Sequence, residues 1–385
     1  MHARATLAPM IRRALFSWLP AFAASLVLVA CVTQAPPPVV TATAPSRPVT
    51  QPSTALLPPV PQPPERPVAP PSVTDAAIPQ PQRIDAFVDY TARTYGVAPQ
   101  QIRDTLAQVE LKQKIIDAIS RPAEGVRPWR DYRPIFLNAA RIDGGRAFYA
   151  QHREALDRVA AQSGVPAEVI VAIIGVETNY GKITGNYRVL DALYTLAFGY
   201  PKRAPFFAGE LAQLFALGKD ERLDITGLKG SYAGAMGWGQ FMPSSYRLWA
   251  KDADGDGRRD LINSTADVFA SIANYFVVHG WQRGGPVVAR ASRDAGAPDF
   301  IPGSLDPVYP LAALAARGYR PQPGQPLAQG ATLLTLDGDG GKEYWLAYRN
   351  FYVITRYNRS PMYALSVHQL AQAIRDGGLQ GNNAQ

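Results

Sequence analysis

The chain has 385 residues, a formal net charge of +8 and a hydrophobic fraction of 47%, a composition that allows a large folded core. The single cysteine, Cys31, excludes a disulfide framework and a thiol nucleophile in the folded region. The four histidines lack ligand spacing, which excludes a His/Cys zinc site. Lysine and arginine are scattered along the chain, so the positive charge does not indicate a nucleic-acid-binding protein.

The N-terminus is typical of a bacterial export signal. An apolar run at residues 14–30, short and interrupted by proline, follows three basic residues, Arg4, Arg12 and Arg13. It ends in Leu-Val-Ala before Cys31, which resembles a lipobox and predicts a signal peptide at 1–30 with lipidation of Cys31. Valine rather than aspartate at position 32 favours the outer membrane, facing the periplasm. A plain signal peptide and an uncleaved anchor are the alternatives.

A proline-rich segment follows the predicted lipidation site. Sixteen prolines lie between Pro36 and Pro81, so residues 31–82 are predicted to form a semi-rigid polyproline tether. A PxxP ligand for another protein is the alternative. The folded region is then 83–385. Removal of residues 1–30, which hold three arginines and no acidic residue, lowers the net charge to +5.

Apolar spacing predicts a mainly helical α+β fold with a small β portion. Helices are predicted at residues 84–95, 99–109, 111–119, 139–161, 165–181, 187–198, 205–216, 265–279 and 366–373. Strand-like runs follow at 286–290, 331–336, 343–348 and 351–354, with a hairpin turn at 337–341.

One carboxylate interrupts the most apolar of these helices. Glu177 follows Ile170 and Ile173 by seven and four residues, so it shares their face of a core helix. Burial there would raise the pKa of Glu177, as a general acid working near neutral pH requires. The alternative is a partly exposed glutamate at the C-terminal end of a helix.

A glycine-rich stretch at 230–245 is predicted to form a cleft wall, where small residues allow close approach of a ligand. Ser231 and Gln240 offer hydrogen-bonding groups, and Tyr232 and Trp238 offer flat faces for sugar rings. A structural loop packed under aromatic residues is the alternative.

An acidic loop follows at residues 252–263. It matches the calcium loop of an EF-hand, in which positions 1, 3 and 5 supply carboxylates; these positions hold Asp252, Asp254 and Asp256. Position 6 holds Gly257, and the backbone carbonyl of Arg258 is the candidate ligand at position 7. Position 12 departs from the pattern because it holds Asn263, and Asp267 is the candidate closing ligand. We predict a structural Ca²⁺ site, with a solvated Asp-Gly turn as the alternative.

Several of these segments occur in the order typical of one family. The segments IIGVETNYG, YPKR, GSYAGAMGWGQFMPSS, ANYF with HGW, and NFYVITRYN resemble the lytic murein transglycosylase B family over about residues 83–375. The resemblance implies a lysozyme-like core at about 160–285, flanked by a helical lobe and a small β-containing lobe. It also implies a calcium-binding loop at the acidic segment.

The resemblance further implies that Glu177 is the catalytic acid and base in cleavage of the MurNAc–GlcNAc bond, forming 1,6-anhydro-MurNAc. It assigns substrate contacts to residues of the matching motifs: Ser231, Gln240, Tyr275, Lys202, Arg203, Tyr352, Tyr357 and Asn358. Peptidoglycan glycan strands are then the substrate, and cell-wall synthesis proteins are candidate partners. The alternatives are a hydrolytic muramidase of the same fold and a non-catalytic peptidoglycan-binding lipoprotein.

Overall fold

The computed structural model describes residues 55–63, 66, 68–121 and 127–376. The predicted signal peptide, Cys31 and the first part of the predicted tether lie outside the described residues. In the described part of the chain no single helix is long and apolar enough to cross a membrane, although the bent pair Trp129–Ser163 and Ala167–Thr178 passes that test by length and composition.

Fourteen helices form most of the described fold. In chain order they are α1 Pro71–Thr74, α2 Gln80–Tyr95, α3 Pro99–Leu106, α4 Gln113–Ser120, α5 Trp129–Phe136, α6 Ala139–Ser163, α7 Ala167–Thr178, α8 Val189–Gly199, α9 Ala204–Asp220, α10 Pro243–Trp249, α11 Thr265–Val278, α12 Leu311–Ala315, α13 Arg349–Tyr357 and α14 Pro361–Arg375. A short 3-10 turn at Pro201–Arg203 separates α8 from α9.

Helix α7 lies at the centre of the core and packs against α6, α11 and α14. Its residues from Val169 to Gly175 are all buried, because the segment is apolar on every side. The ring of Tyr180 folds back onto the backbone at Gly175, where a Cβ atom would lie 2.8 Å from it. Glycine is therefore required at this position to let the chain reverse closely over the helix.

The described residues also form seven strands, which are β1 Tyr187–Arg188, β2 Lys229–Gly230, β3 Val288–Arg293, β4 Tyr309–Pro310, β5 Tyr319–Pro321, β6 Gly330–Gly338 and β7 Gly341–Ala347. Strands β1 and β2 form a two-stranded antiparallel ladder within the helical part. The other five form an antiparallel sheet in the order β4-β6-β7-β3-β5. The predicted hairpin turn is confirmed, since Gly338 pairs with Gly341 across it.

One predicted strand is a helix in the structure, and helix α5 was not predicted. Residues 351–354 were predicted as a strand but lie in helix α13, where five consecutive residues from Phe351 to Thr355 are buried. A short run of aromatic and β-branched residues that is buried on all sides has no period that separates strand from helix, and packing decides between them. Residues 129–136 form helix α5 in spite of Pro134.

The folded region begins before residue 83, where the sequence predicts the boundary between tether and folded region. Residues 55–63, 66 and 68–74, which we call the strap, belong to the same compact unit as the helices. Val60, Ala69 and Val73 of the strap are buried. The strap folds onto the domain because these apolar side chains, spaced between prolines, have a surface to cover.

Candidate active site

Glu177 lies in the last turn of α7, where the buried helix reaches the surface, and its side chain is half-buried. The helix ends at Thr178 rather than at Gly181, because Asn179 and Tyr180 adopt the left-handed conformation, with φ of 50° and 62°. The Thr178 hydroxyl lies 3.1 Å from the Ile174 carbonyl and 3.0 Å from that of Trp238. This contact holds the end of the helix against the glycine-rich stretch.

Tyr363 is a hydrogen-bond partner of this glutamate that the sequence analysis did not predict. Its hydroxyl donates to Oε1 of Glu177 at 2.5 Å from the first turn of α14. Burial, reinforced by the negative charge of Glu177, raises the pKa of the Tyr363 hydroxyl well above its ordinary value. Tyr363 is therefore protonated near neutral pH and can donate this hydrogen bond. The segment NFYVITRYN ends five residues before Tyr363, and no spacing rule points to it.

A second tyrosine, Tyr357, bonds to the glycine-rich loop at residues 231–242 and lies within the electrostatic influence of Glu177. Its hydroxyl donates to the Gly239 carbonyl at 2.8 Å. Burial first, and then the charge of Glu177, raise the pKa of Tyr357 well above its ordinary value. A Cβ atom at Gly239 would lie 2.9 Å from the Tyr357 hydroxyl, so this close approach depends on glycine.

The glycine-rich loop is held in a defined conformation by its own polar groups. The Ser231 hydroxyl accepts hydrogen bonds from the backbone N–H groups of Ala233 and Ala235, at 3.3 Å and 3.1 Å. Gln240 adopts φ 51°, a left-handed conformation that costs a non-glycine residue about 1–2 kcal/mol. Its amide nitrogen donates to the carbonyls of Thr184 and Gly237, each at 3.0 Å, which holds it there.

The other predicted substrate contacts have different surroundings. Tyr275 was expected to line the cleft, but it is only 3% exposed; its ring lies 4.8 Å from that of Tyr357 and its hydroxyl bonds to the Arg356 carbonyl. Tyr352 is also buried and accepts a hydrogen bond from Gln62 of the strap at 2.6 Å. Both tyrosines are therefore packed inside the domain and hydrogen-bonded to other parts of the chain.

Three predicted contacts lie on the surface. Lys202 and Arg203 are exposed in the 3-10 turn before α9, and the Arg203 guanidinium lies over the ring of Phe206 at 4.6 Å. Asn358 is exposed directly after α13, where its side-chain oxygen accepts the backbone N–H of Ser360. Tyr357, by contrast, contacts the glycine-rich loop through the Gly239 carbonyl.

The acidic loop brings three of its predicted ligands together. Oxygen atoms of Asp252, Asp254 and Asp256 lie within 4.8 Å of one another, and all three residues are exposed. Carboxylate oxygens in this number and arrangement suit Ca²⁺. Asp267 is fully buried, and its oxygens accept the backbone N–H groups of Ala253 and Asp260, each at 2.7 Å. It closes the loop through these hydrogen bonds. The Arg258 backbone N–H donates to Asp256 at 2.8 Å.

A single glutamate, hydrogen-bonded to a protonated tyrosine at the end of a core helix, has the chemistry of a general acid or base, which many classes of enzyme use. Comparison with known proteins identifies the class of this protein. Residues 80–372 match the family described as Transglycosylase SLT domain. The chain is 42% identical over 299 residues to membrane-bound lytic murein transglycosylase B of Escherichia coli (strain K12), covering 75% of this chain and 81% of that protein. It belongs to the lytic murein transglycosylase B family.

Solved structures agree with this assignment and confirm the mainly helical α+β fold. Soluble lytic transglycosylase SltB1 from Pseudomonas aeruginosa is 48% identical, with a TM-score of 0.72 over 77% of this chain and 99% of that chain. The lytic transglycosylase Slt35 of Escherichia coli, in complex with calcium, is 41% identical, with a TM-score of 0.70 over 77% and 94%. SltB3 from Pseudomonas aeruginosa, in complex with NAG-anhNAM-pentapeptide, is 33% identical, with a TM-score of 0.67 over 77% and 80%.

Proposed function

We propose that this lytic transglycosylase cleaves peptidoglycan strands between MurNAc and GlcNAc and leaves 1,6-anhydro-MurNAc ends, with Glu177 as its acid and base. The hydrogen bond from Tyr363 to Glu177 is the observation that carries the proposal, because it orients one carboxyl group beside the glycine-rich loop. The ligand NAG-anhNAM-pentapeptide in SltB3 supports the same substrate class.

The reaction needs one carboxyl group because the attacking oxygen belongs to the substrate. Protonated Glu177 donates its proton to the glycosidic oxygen, which takes the electron pair of the breaking C1–O bond. The C6 hydroxyl oxygen of the same MurNAc then attacks C1, and the Glu177 carboxylate accepts the hydroxyl proton. Glu177 is regenerated in its protonated form, and no water is consumed. A hydrolase instead needs a second carboxylate as nucleophile or to activate water.

Other residues take positioning or binding roles in this proposal. Tyr363 orients the carboxyl group, while Tyr357 holds the loop that carries Gln240 and Ser231 against the reacting bond. Lys202 and Arg203, which are exposed, would meet the peptide stem or its carbonyl groups, and Asn358 would form the far wall with Tyr357. Tyr275 and Tyr352 act through their neighbours rather than on the substrate.

The product decides between this function and its alternatives. The full-length protein, purified in detergent, is incubated with peptidoglycan, and the released muropeptides are identified by mass. We expect products one water lighter than those of hydrolysis. Reducing-end products would instead indicate a hydrolytic muramidase. Binding without cleavage would indicate a peptidoglycan-binding lipoprotein.

We propose that the acidic loop binds one structural Ca²⁺ through Asp252, Asp254 and Asp256, as the calcium complex of Slt35 supports. Millimolar Ca²⁺ should raise the unfolding temperature, because an ion that binds only the folded state stabilises it by about 2.7 kcal/mol at a hundred times its Kd. A chelator should reverse the shift, as measured by differential scanning fluorimetry. The double substitution Asp254→Asn and Asp256→Asn should abolish it. A calcium-induced shift of equal size in this variant would contradict the site.

We propose that the protein is an outer-membrane lipoprotein anchored through Cys31, in keeping with its similarity to a membrane-bound relative. Cys31→Ser should abolish labelling of the protein by a radioactive fatty acid, because the thiol that would carry the lipid is removed. Val32→Asp should retain the lipid and move the protein to the inner membrane. Labelling measures the first variant, and fractionation with immunoblotting measures the second. Absence of the label from the unsubstituted protein would instead indicate a plain signal peptide or an uncleaved anchor.

A further inference from the structure

The strap is bonded to the domain at both of its ends. Near its start, the Leu57 backbone N–H donates to the Val308 carbonyl at 2.7 Å. Near its end, the Ala69 N–H donates to the Pro205 carbonyl at 3.0 Å, and the following Val73 is fully buried. A tether that served only as a spacer would leave these amides and this side chain in water. The strap is therefore hydrogen-bonded to the domain and packed against it, which a spacer does not require.

Between these two points, Arg66 reaches a buried acid. Glu210, in the middle of α9, is only 1% exposed, and Nη1 of Arg66 lies 3.9 Å from its Oε1. Burial raises the pKa of Glu210, whereas the hydrogen bonds from Ser244 and the charge of Arg66 act in the opposite direction. A buried carboxylate is tolerated when hydrogen bonds and a cation compensate for its lost hydration. Arg66 therefore supplies charge compensation inside the domain.

Glu210 in turn holds the helix that follows the glycine-rich loop. Its Oε1 accepts the Ser244 hydroxyl at 2.6 Å and its Oε2 accepts the Ser244 backbone N–H at 2.9 Å. Ser244 lies in the first turn of α10, two residues after the loop ends. The position of the Arg66–Glu210 pair thus determines where the chain leaves the loop.

Arg66 also contacts the other end of the same helix. Its guanidinium lies 5.8 Å from the ring centroid of Trp249, the last residue of α10. Trp249 packs edge-on against Tyr275 at 5.0 Å, and Tyr275 packs against Tyr357 at 4.8 Å. Tyr357 bonds to the loop at Gly239. Two chains of contacts therefore start at Arg66, one through Glu210 and one through Trp249. Both lead to the glycine-rich loop that adjoins Glu177.

We propose that Arg66 is a positioning residue, and that the docked strap holds α10 and the glycine-rich loop in place beside Glu177. The proposed effect on catalysis rests on the function proposed above. The strap is then part of the catalytic unit and does not belong to the predicted tether.

Hydrogen exchange and kinetics of the full-length protein in detergent test this proposal. In the unsubstituted protein the Leu57 and Ala69 amides should be protected. In Arg66→Gln, exchange should rise in the loop, at the Met236 and Phe241 amides that bond across it, and remain unchanged in α7. The rate of muropeptide release should fall about tenfold in kcat/KM, because small misplacements of positioning groups are costly.

Matched substitutions separate positioning from general destabilisation. Arg66→Lys keeps the charge and should restore most of the activity and of the loop protection. Arg103→Gln, which removes an exposed ion pair with Asp85, should behave like the unsubstituted protein. The proposal is overturned if the Leu57 and Ala69 amides exchange as in an unfolded peptide. It is equally overturned if Arg66→Gln leaves loop exchange unchanged or raises exchange uniformly. Since exchange is measured without substrate, failure of the proposed function would leave this test valid.

Discussion

Glu177→Gln is expected to lower the rate of muropeptide release by roughly 10³-fold or more, the largest effect of any single substitution in this protein. Glutamine keeps the shape of the side chain and still accepts the Tyr363 hydroxyl, so the fold should persist. It can neither protonate the glycosidic oxygen nor accept the proton of the C6 hydroxyl. Because one residue serves both halves of the reaction, its loss removes both forms of proton transfer.

The control for this substitution lies on the same helix. Glu168 is in the first turn of α7, nine residues from Glu177, and its Oε1 lies 3.6 Å from Nη1 of Arg375. Glu168→Gln removes the same charge from the same helix and should leave the rate within about twofold, because a partly exposed ion pair contributes little. Equal losses in both variants would show that helix stability rather than proton transfer is being measured. Full activity of Glu177→Gln would exclude Glu177 as the acid.

Tyr363→Phe is expected to lower kcat about 10–100-fold, since it removes the donor that orients the glutamate and leaves the ring in place. A hydrogen bond donated to a carboxyl oxygen stabilises the ionised form more than the protonated form. Without it, Glu177 should hold its proton to higher pH. The loss of activity on the alkaline side of the pH–rate profile should therefore move upward in the variant.

A tyrosine in the sheet gives a matched control. Tyr319 is buried and its hydroxyl donates to the Pro298 carbonyl at 3.0 Å. Tyr319→Phe removes one buried hydroxyl, as Tyr363→Phe does, and should cost about 1 kcal/mol of stability without shifting the pH–rate profile. If the alkaline limb stays in place in Tyr363→Phe, or shifts equally in Tyr319→Phe, the orienting role of Tyr363 is wrong.

Local sequence patterns predicted those parts of the fold that one element can specify alone. The helix around Glu177 was predicted because its apolar residues leave no exposed face. Of the four strand-like runs that the sequence predicts, three correspond to strands of the five-stranded sheet. The run at 351–354 was assigned wrongly because its burial arises from packing of α13 against α14. The tether boundary was misplaced for a related reason, since proline content does not reveal whether a segment has a surface to cover.

The sequence by itself determined the family, the candidate acid, the glycine-rich loop and the acidic loop, because each is carried by residues close together in the chain. Only the tertiary structure decided their partners. Tyr363 meets Glu177 across 186 residues, and Gln62 meets Tyr352 across 290. Such contacts depend on how distant elements pack, and so does the burial of Tyr275, which the resemblance assigned to the lining of the cleft. Periodicity encodes which face of an element is buried, whereas the identity of the neighbour depends on the whole fold.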